Sequence, residues 1–219
     1  MKAKDEIVKI MKGLAGRYSA YELFSDWVEM SALSIQNSCM MIHNQLWQKR
    51  EEEYLRIARK YTEKELVDIN HMFSLLVKAF EDGISDILGE IYMESGSGSK
   101  AAGQFFTPFH LSVLTAQMTI PDDVSEENPF LMNEPSTGGG GMIIAVAQVL
   151  KERGLNYQRC MDVVAQDLDW KGVYMTYVQL SLLGIKATVV QGNTLAEPYV
   201  KGYPAERVFY TPAKMGLLL

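Results

Sequence analysis

Four consecutive glycines, Gly138–Gly141, follow Glu134-Pro135-Ser136-Thr137 and lead into the apolar run Met142–Leu150. A strand, a glycine loop and a helix in that order let backbone N–H groups close on a nucleotide-like ligand, because glycine has no Cβ to hold the chain away. The same glycines also serve a plain strand-to-helix turn. Nearer thirty residues further on, Val163-Val164-Ala165-Gln166-Asp167-Leu168-Asp169 puts an acid at a second strand end. A carboxylate there can accept from both ribose hydroxyls of a nucleoside, although dinucleotide-binding folds place it roughly 20 residues on. Asp167 is the ligand candidate, and Asp169 is the N-cap candidate for a helix starting at Trp170. Upstream, Gly103-Gln104-Phe105-Phe106-Thr107-Pro108-Phe109 reads by itself as a capped helix start with aromatic anchors.

The elements that must carry these residues differ between the two halves of the chain. Proline is absent before Pro108, and Leu66, Ile69, Phe73, Leu76 and Phe80 recur at helical spacing. Helices are expected near 3–13, 18–48 (with a break near Ser31–Ser38 as the alternative), 50–60, 63–80 and 83–93, with capping chemistry at Ser25-Asp26-Trp27 and at Thr62 with Glu65. Residues 1–95 thus form a helical domain, and 96–102, rich in Gly and Ser, a linker or loop. From 103 to 219 the pattern changes. A helix over 108–118 is expected, capped by Thr107 with Pro108 first. Strands at 130–134, 162–167 and 187–191 alternate with helices at 140–153 and 170–183, the second closing at Gly184. That alternation implies βαβ units and a parallel sheet, here a short one.

Composition narrows the function classes. The chain has 219 residues, 47% of them hydrophobic, enough for a sizeable core. Its net charge of -6 is spread along both halves and argues against a constitutively sticky nucleic-acid binder, though not against a local basic groove. Cys39 and Cys160 are far apart, without metal-like spacing, and fit free thiols in a reducing compartment. No apolar stretch approaches the roughly 20 residues of a membrane helix, and the N-terminus lacks a signal-peptide core. A soluble cytoplasmic protein without a metal site is expected. His43, His71 and His110 are isolated. The basic cluster Lys49, Arg50, Arg56, Arg59 and Lys60, interrupted by Glu51-Glu52-Glu53, reads as a solvated helix face.

Taken in order, Gly103–Pro108, then Glu134-Pro135-Ser136-Thr137-Gly138-Gly139-Gly140-Gly141-Met142, then Gln166-Asp167, Leu180–Ile185 and Gly192-Asn193-Thr194-Leu195, the chain resembles the adenine-specific (N-6) DNA methyltransferases. The modification subunits of type I restriction-modification systems are the most similar group. The resemblance spans residues from about 65 to 197. It implies a Rossmann-like S-adenosylmethionine-dependent methyltransferase fold of α/β class with a truncated sheet, preceded by the helical N-terminal domain. It also implies S-adenosylmethionine as cofactor, with Thr107, Pro108 and Phe109 near its methionine moiety. Glu134, Pro135, Ser136, Thr137, Gly138 and Gly140 would form the loop, with Glu where the family usually has Asp. Asp167 would hold the ribose, and Asn193 would stand where an Asp usually accepts from the adenine amino group. An amide oxygen can still accept there, without the charge.

One family motif is missing. Asn/Asp-Pro-Pro-Tyr/Phe, which grips the target amino group and stacks on the flipped base, is not visible. Its place is taken by Val208-Phe209-Tyr210-Thr211-Pro212, leaving Thr211 and Pro212 as weak catalytic candidates. A shortened relative, impaired in catalysis by itself, is the expectation, with a fragment of a longer enzyme as the other reading. DNA is the expected partner, together with a specificity or restriction subunit or a second copy. The alternative is a non-enzymatic DNA-associated or subunit-interaction module on the same fold. A small-molecule methyltransferase using Thr211 or Tyr210 is a third reading.

Overall fold

A computed structural model of the chain describes residues 2–95 and 106–217. The expected linker at 96–102, and Gly103, Gln104 and Phe105, lie outside them. The described residues form two compact units, one of residues 2–83 with 87–95 and the other of 84–86 with 106–217.

The first unit is helical: α1 (Ala3–Leu14), α2 (Ala20–Ser38), α3 (Gln45–Ala58), α4 (Glu63–Glu81) and α5 (Ile87–Glu94). Helix α1 buries Ile7, Val8 and Met11 and packs on α4 and α5, while α2 lies against α3. Phe24, Trp27 and Tyr92 form the aromatic centre of this core. The stretch expected over 18–48 is two helices, interrupted directly after the Ser31–Ser38 segment at which a break was the alternative. Helix α2 stops at Ser38, and α3 starts after Asn44, whose side-chain oxygen accepts from the N–H groups of Leu46 and Trp47 at 3.0 Å each. Ser25-Asp26-Trp27 is not a cap either, because Ser19 already caps α2 by accepting from Glu22 N–H at 3.1 Å. Asp26 turns inward instead, accepting from Lys60 Nζ at 3.0 Å and Tyr61 OH at 2.8 Å. Thr62 and Glu65 do form a capping box at the start of α4. The basic cluster is not all solvated, since Arg50 is buried with Nη1 at 3.6 Å from the Met40 sulfur.

The second unit is α/β: α6 (Phe109–Thr119), β1 (Phe130–Glu134), α7 (Gly141–Glu152), α8 (Tyr157–Cys160), β2 (Met161–Asp167), α9 (Trp170–Leu182), β3 (Ala187–Gln191) and β4 (Val208–Tyr210). The sheet runs β1-β2-β3-β4, with β1, β2 and β3 parallel. Helix α7 lies in the connection from β1 to β2 and packs on β1, and α9 connects β2 to β3 and packs on both. Val163, Ala165, Ala187 and Val189 are buried in this core with Ile144, Val173 and Tyr177. Parallel pairing brings the ends of β1, β2 and β3, at Glu134, Asp167 and Gln191, to one rim of the sheet. Strand β4 breaks the expected parallel pattern by running antiparallel to β3, with Val190 opposite Val208. The reversal follows from the intervening chain. Gln166 Nε2 donates to Glu197 O, and Gln166 Oε1 accepts from Tyr199 N–H, which folds that segment back over the end of β2. A turn with left-handed Gly202 and Pro204 then delivers β4 from the other direction.

Helix α6 corrects a second expectation. Pro108 occupies its N-cap and Phe109 its first position, so Thr107 lies outside the helix and makes no cap bond. A proline φ of -53° suits this place, and its carbonyl accepts from Leu111 N–H at 2.8 Å. Among the described residues, no helix is long and apolar enough to cross a membrane, and no cluster of His, Cys, Asp and Glu is placed to hold a metal.

Candidate functional site

Three loops leave the rim at the ends of β1, β2 and β3, and hydrogen bonds tie them to one another. The first turns sharply after Glu134. Thr137 N–H donates to Gln166 O at 3.0 Å, and Thr137 Oγ1 lies 3.1 Å from Thr176 Oγ1 on α9. Gly138 has φ +54° and Gly140 φ +90°, the left-handed region in which a side chain is strained. A Cβ on Gly138 would stand 2.9 Å from the Phe106 ring, so glycine here also admits an aromatic group of the segment before α6. Gly140 then serves as N-cap of α7.

Asp167 is the hub. Its Oδ2 accepts from Gly138 N–H at 2.7 Å, and its Oδ1 accepts from Asp169 N–H at 2.9 Å. Its own carbonyl accepts from Gly192 N–H at 2.8 Å, which fixes the third loop. Gly172, on the first turn of α9, leaves room for the carboxylate, because a Cβ there would be 3.1 Å from Asp167 Cγ. Asp169 caps α9, accepting from Lys171 N–H at 3.2 Å. The third loop meets the first where Thr194 Oγ1 donates to Pro135 O at 2.9 Å. Asn193 is exposed on this rim, and its Oδ1 accepts from Leu195 N–H at 3.0 Å. One lone pair of that oxygen and both amide hydrogens remain for a ligand.

Glu134 is half-buried and accepts from Ser136 N–H at 3.3 Å. Burial pushes its carboxyl above the ordinary glutamate range; the Ser136 N–H opposes this, and the nearby charge of Asp167 adds to it.

The structure therefore gathers Glu134, Pro135, Ser136, Thr137, Gly138, Gly140, Asp167 and Asn193 on one rim. Thr107 and Pro108 are exposed and Phe109 half-buried; the chain joins them to Phe106, whose ring faces Gly138. Thr211 and Pro212 are not brought there. Because β4 is antiparallel, Thr211 follows it at the start of β3, four residues and about 13 Å of strand from Gln191. Its hydroxyl is fully buried, donating to Ile185 O at 2.7 Å and accepting from Ala187 N–H at 3.0 Å.

Several residues that shape the loop were not singled out from the sequence. Thr176 Oγ1 donates to Gly138 O at 2.9 Å, and Gln179 Nε2 donates to Gly139 O at 2.7 Å. The available signal was Gly172, Thr176 and Gln179 at helical spacing, a small and polar stripe on a helix otherwise rich in apolar residues.

These groups have the chemistry to receive a nucleoside. Asp167 has acceptor lone pairs that could meet a vicinal diol and Asn193 an amide that could meet a base edge, with the exposed Leu168 and Leu195 offering apolar surface beside them. The glycine turn is a cradle in which a Cβ at 138 or 140 would be strained and crowded. The Gly138 N–H is committed to Asp167 and so is not a free donor.

The family model described as N-6 DNA methylase matches residues 83–213, more than half of the chain. No curated protein matches. Among solved structures, the chain is similar to the type I restriction-modification system methyltransferase subunit from Streptococcus thermophilus, with 14% identity and a TM-score of 0.49. That alignment covers 92% of this chain and 60% of the other, so the chain spans about three fifths of that subunit's length.

Proposed function

The chain belongs to the N-6 DNA methylase family, and on that premise we propose that its α/β unit binds S-adenosylmethionine at the rim of the sheet and serves the methylation of adenine N6 in DNA. The unit has the Rossmann-like fold of S-adenosylmethionine-dependent methyltransferases, following a helical N-terminal region. The observation that carries the cofactor reading is Asp167, whose carboxylate lies at the end of β2 against the turn at Gly138. Asp167 would hold the ribose, Asn193 the adenine edge, and the turn from Glu134 to Gly140 with Thr107, Pro108 and Phe109 the amino-acid end. The cofactor supplies an electrophilic methyl group when bound. What these residues contribute is binding, orientation and a firm turn.

The group that grips the target amine comes from elsewhere in the assembly in this reading, because Thr211 and Pro212 lie at the other end of the strands and Thr211 is occupied by backbone groups. The resemblance of the loop sequences to modification subunits favours a restriction-modification setting, with a specificity subunit, a restriction subunit or a second copy completing the enzyme. The same geometry favours a second reading, a subunit-interaction module without activity of its own.

Calorimetric titration of the purified chain with S-adenosylmethionine tests the first part. Micromolar binding, lost in Asp167→Ala, is the expected result, and no heat with either protein would refute the cofactor reading. Transfer of a labelled methyl group to adenine-containing DNA, assayed with the chain alone and with candidate subunits added, then separates the enzyme from the module.

A further inference from the structure

At the end of the strands opposite the glycine rim, the α/β unit holds a cleft of 740 Å³, lined by Glu126, Asn156, Gln158, Arg159, Gly184 and Lys186 among others. Arg159 lies in α8, just before β2, and Lys186 immediately precedes β3. The cleft is as large as pockets that take small ligands, roughly 300–1,000 Å³.

Its most telling residue is Lys186. Lys4, Lys60, Lys171 and Lys186 are the described lysines that are not exposed. The first three each hold a carboxylate, of Glu90, Asp26 and Asp169 respectively. Lys186 holds none among the described residues, although it is half-buried in the wall of the cleft. The acids around it are already engaged. Glu126 accepts from Arg159 Nη1 at 3.3 Å, and both oxygens of Asp162, next to the paired Val163 and Ala187, accept from Lys214 Nζ at 2.6 Å. An ammonium drawn partly out of water without a counter-charge is an open position for an anion.

The wall around Lys186 is firm and turns donors into the cleft. Lys186 O accepts from Val163 N–H at 3.0 Å, and the Thr211 hydroxyl holds Ile185 O and Ala187 N–H on either side of it. The C-terminal end of a helix carries partial negative charge, but at the C-cap of α9 Leu183 O already accepts from Tyr157 OH at 2.9 Å and Gln158 Nε2 at 3.0 Å. Left-handed Gly184 admits that glutamine, since a Cβ there would be 2.5 Å from Gln158 Nε2. Asn156 Oδ1 caps α8 by accepting from Gln158 N–H at 3.1 Å, which leaves the Asn156 amide hydrogens over. With them remain one hydrogen of Gln158 Nε2, most of the Arg159 fork and the Lys186 ammonium.

We propose that this cleft is a second ligand site, selective for a phosphate group, with Lys186 as its fixed charge and Arg159 as its clamp. The Arg159–Glu126 pair is 59% and 50% exposed, and pairs so open to water contribute little. The guanidinium can therefore exchange the carboxylate for a phosphate, which its planar fork meets with two parallel bonds. Glu126 then turns to solvent. Two sources carry such a group, a free phosphate or nucleotide and the backbone of DNA.

The full chain is titrated with inorganic phosphate and, separately, with a short DNA duplex, while the backbone amides of residues 156–159 and 184–187 are followed by NMR. Phosphate should shift those amides saturably, at millimolar concentration or below. Lys186→Met keeps the apolar stem and removes the charge, and should weaken phosphate binding at least about tenfold. Glu126→Gln removes a like charge and releases Arg159, and should strengthen it. Arg159→Gln, at an exposed position, should weaken it and decides the matter if Lys186→Met does not fold. Absence of saturable shifts with both probes overturns the site, as does wild-type affinity in folded Lys186→Met. Acetate binding as tightly as phosphate overturns the phosphate assignment in favour of an acidic peptide. The source is read from the duplex. A duplex that shifts the same amides, with a salt slope lowered by about one in Lys186→Met, assigns the nucleic-acid backbone. One that leaves them unmoved while phosphate shifts them assigns the free anion. S-adenosylmethionine enters neither titration, so failure of the cofactor reading leaves this outcome untouched.

Discussion

The N–H of Gly138 donates to Oδ2 of Asp167 at 2.7 Å, joining the turn after β1 to the end of β2. The two residues are 29 apart in sequence, and the parallel pairing of Glu134 with Ala165 brings them side by side. One carboxylate thus serves the loop's shape and still presents lone pairs outward. Loop and ribose site are therefore coupled, and a change in either reaches the other.

Asp167→Ala removes two backbone hydrogen bonds to a charged acceptor together with the proposed diol contacts. Hydrogen bonds to charged groups contribute about 1.5–3 kcal/mol each, so a single lost ligand contact lowers affinity at least about tenfold. Titration with S-adenosylmethionine should show that loss, and circular dichroism should show an intact sheet. Asp167→Asn keeps an oxygen for Gly138 N–H and should fall between the two.

Gly138→Ala meets two obstacles, a φ of +54° and the Phe106 ring at 2.9 Å from the new Cβ. Gly154, at φ +80° with nothing within 4 Å of its Cβ position, isolates the first. Left-handed backbone costs an L-residue about 1–2 kcal/mol. Urea denaturation should give Gly154→Ala a loss of that order and Gly138→Ala a larger one. Combining Gly138→Ala with Phe106→Ala should recover the difference; no recovery would mean that the ring is not the obstacle.

How far these features were legible before the structure depends on the range of the interaction that sets them. The limits of β1 and β3 could be read from Phe130–Glu134 and Ala187–Gln191, apolar runs bounded by turn residues, and β2 begins at Met161, one residue early. The Thr62 capping box is a local pattern and was equally readable. The direction of β4 was not, because it depends on Gln166 holding Glu197 and Tyr199 more than thirty residues away in sequence. The same reversal sends Thr211 to the far end of the strands, although its place in the sequence beside a strand end pointed to the site. The buried Asp86, whose Oδ1 accepts from Gln179 Nε2 at 2.8 Å, was invisible for a similar reason. It lies 93 residues from Gln179, and nothing near it in sequence marks a carboxylate that must be buried.

Glu134 gives a pH signature with a definite sign. Burial is the largest influence on its carboxyl and raises its pKa in the folded chain; Ser136 N–H opposes and Asp167 reinforces. The folded state therefore binds the proton more tightly than the unfolded state, so the stability linked to Glu134 is present at low pH. It is lost as pH rises through the folded-state value. Glu134→Gln abolishes that loss. The variant should gain in urea midpoint on wild type at pH 7, and the gain should vanish near pH 4, the ordinary carboxylate range of about 4. A constant difference between the two proteins from pH 4 to 8 would contradict the burial of this carboxyl.

Thr211→Val separates the two ends of the sheet. The valine keeps the shape of threonine but leaves Ala187 N–H without the hydroxyl oxygen, which stands 3.0 Å away in the native chain, and Ile185 O without its donor at 2.7 Å. Stranding a buried polar group costs about 1–3 kcal/mol, so the urea midpoint should drop clearly. Affinity for S-adenosylmethionine should stay at the wild-type value, because the hydroxyl lies at the start of β3 and the rim at its end. Equal stability would mean that the hydroxyl bonds contribute little. A parallel fall in affinity, measured well below the unfolding midpoint, would instead bring Thr211 into the site by a rearrangement of β4, and with it a route for this chain to grip the target amine itself.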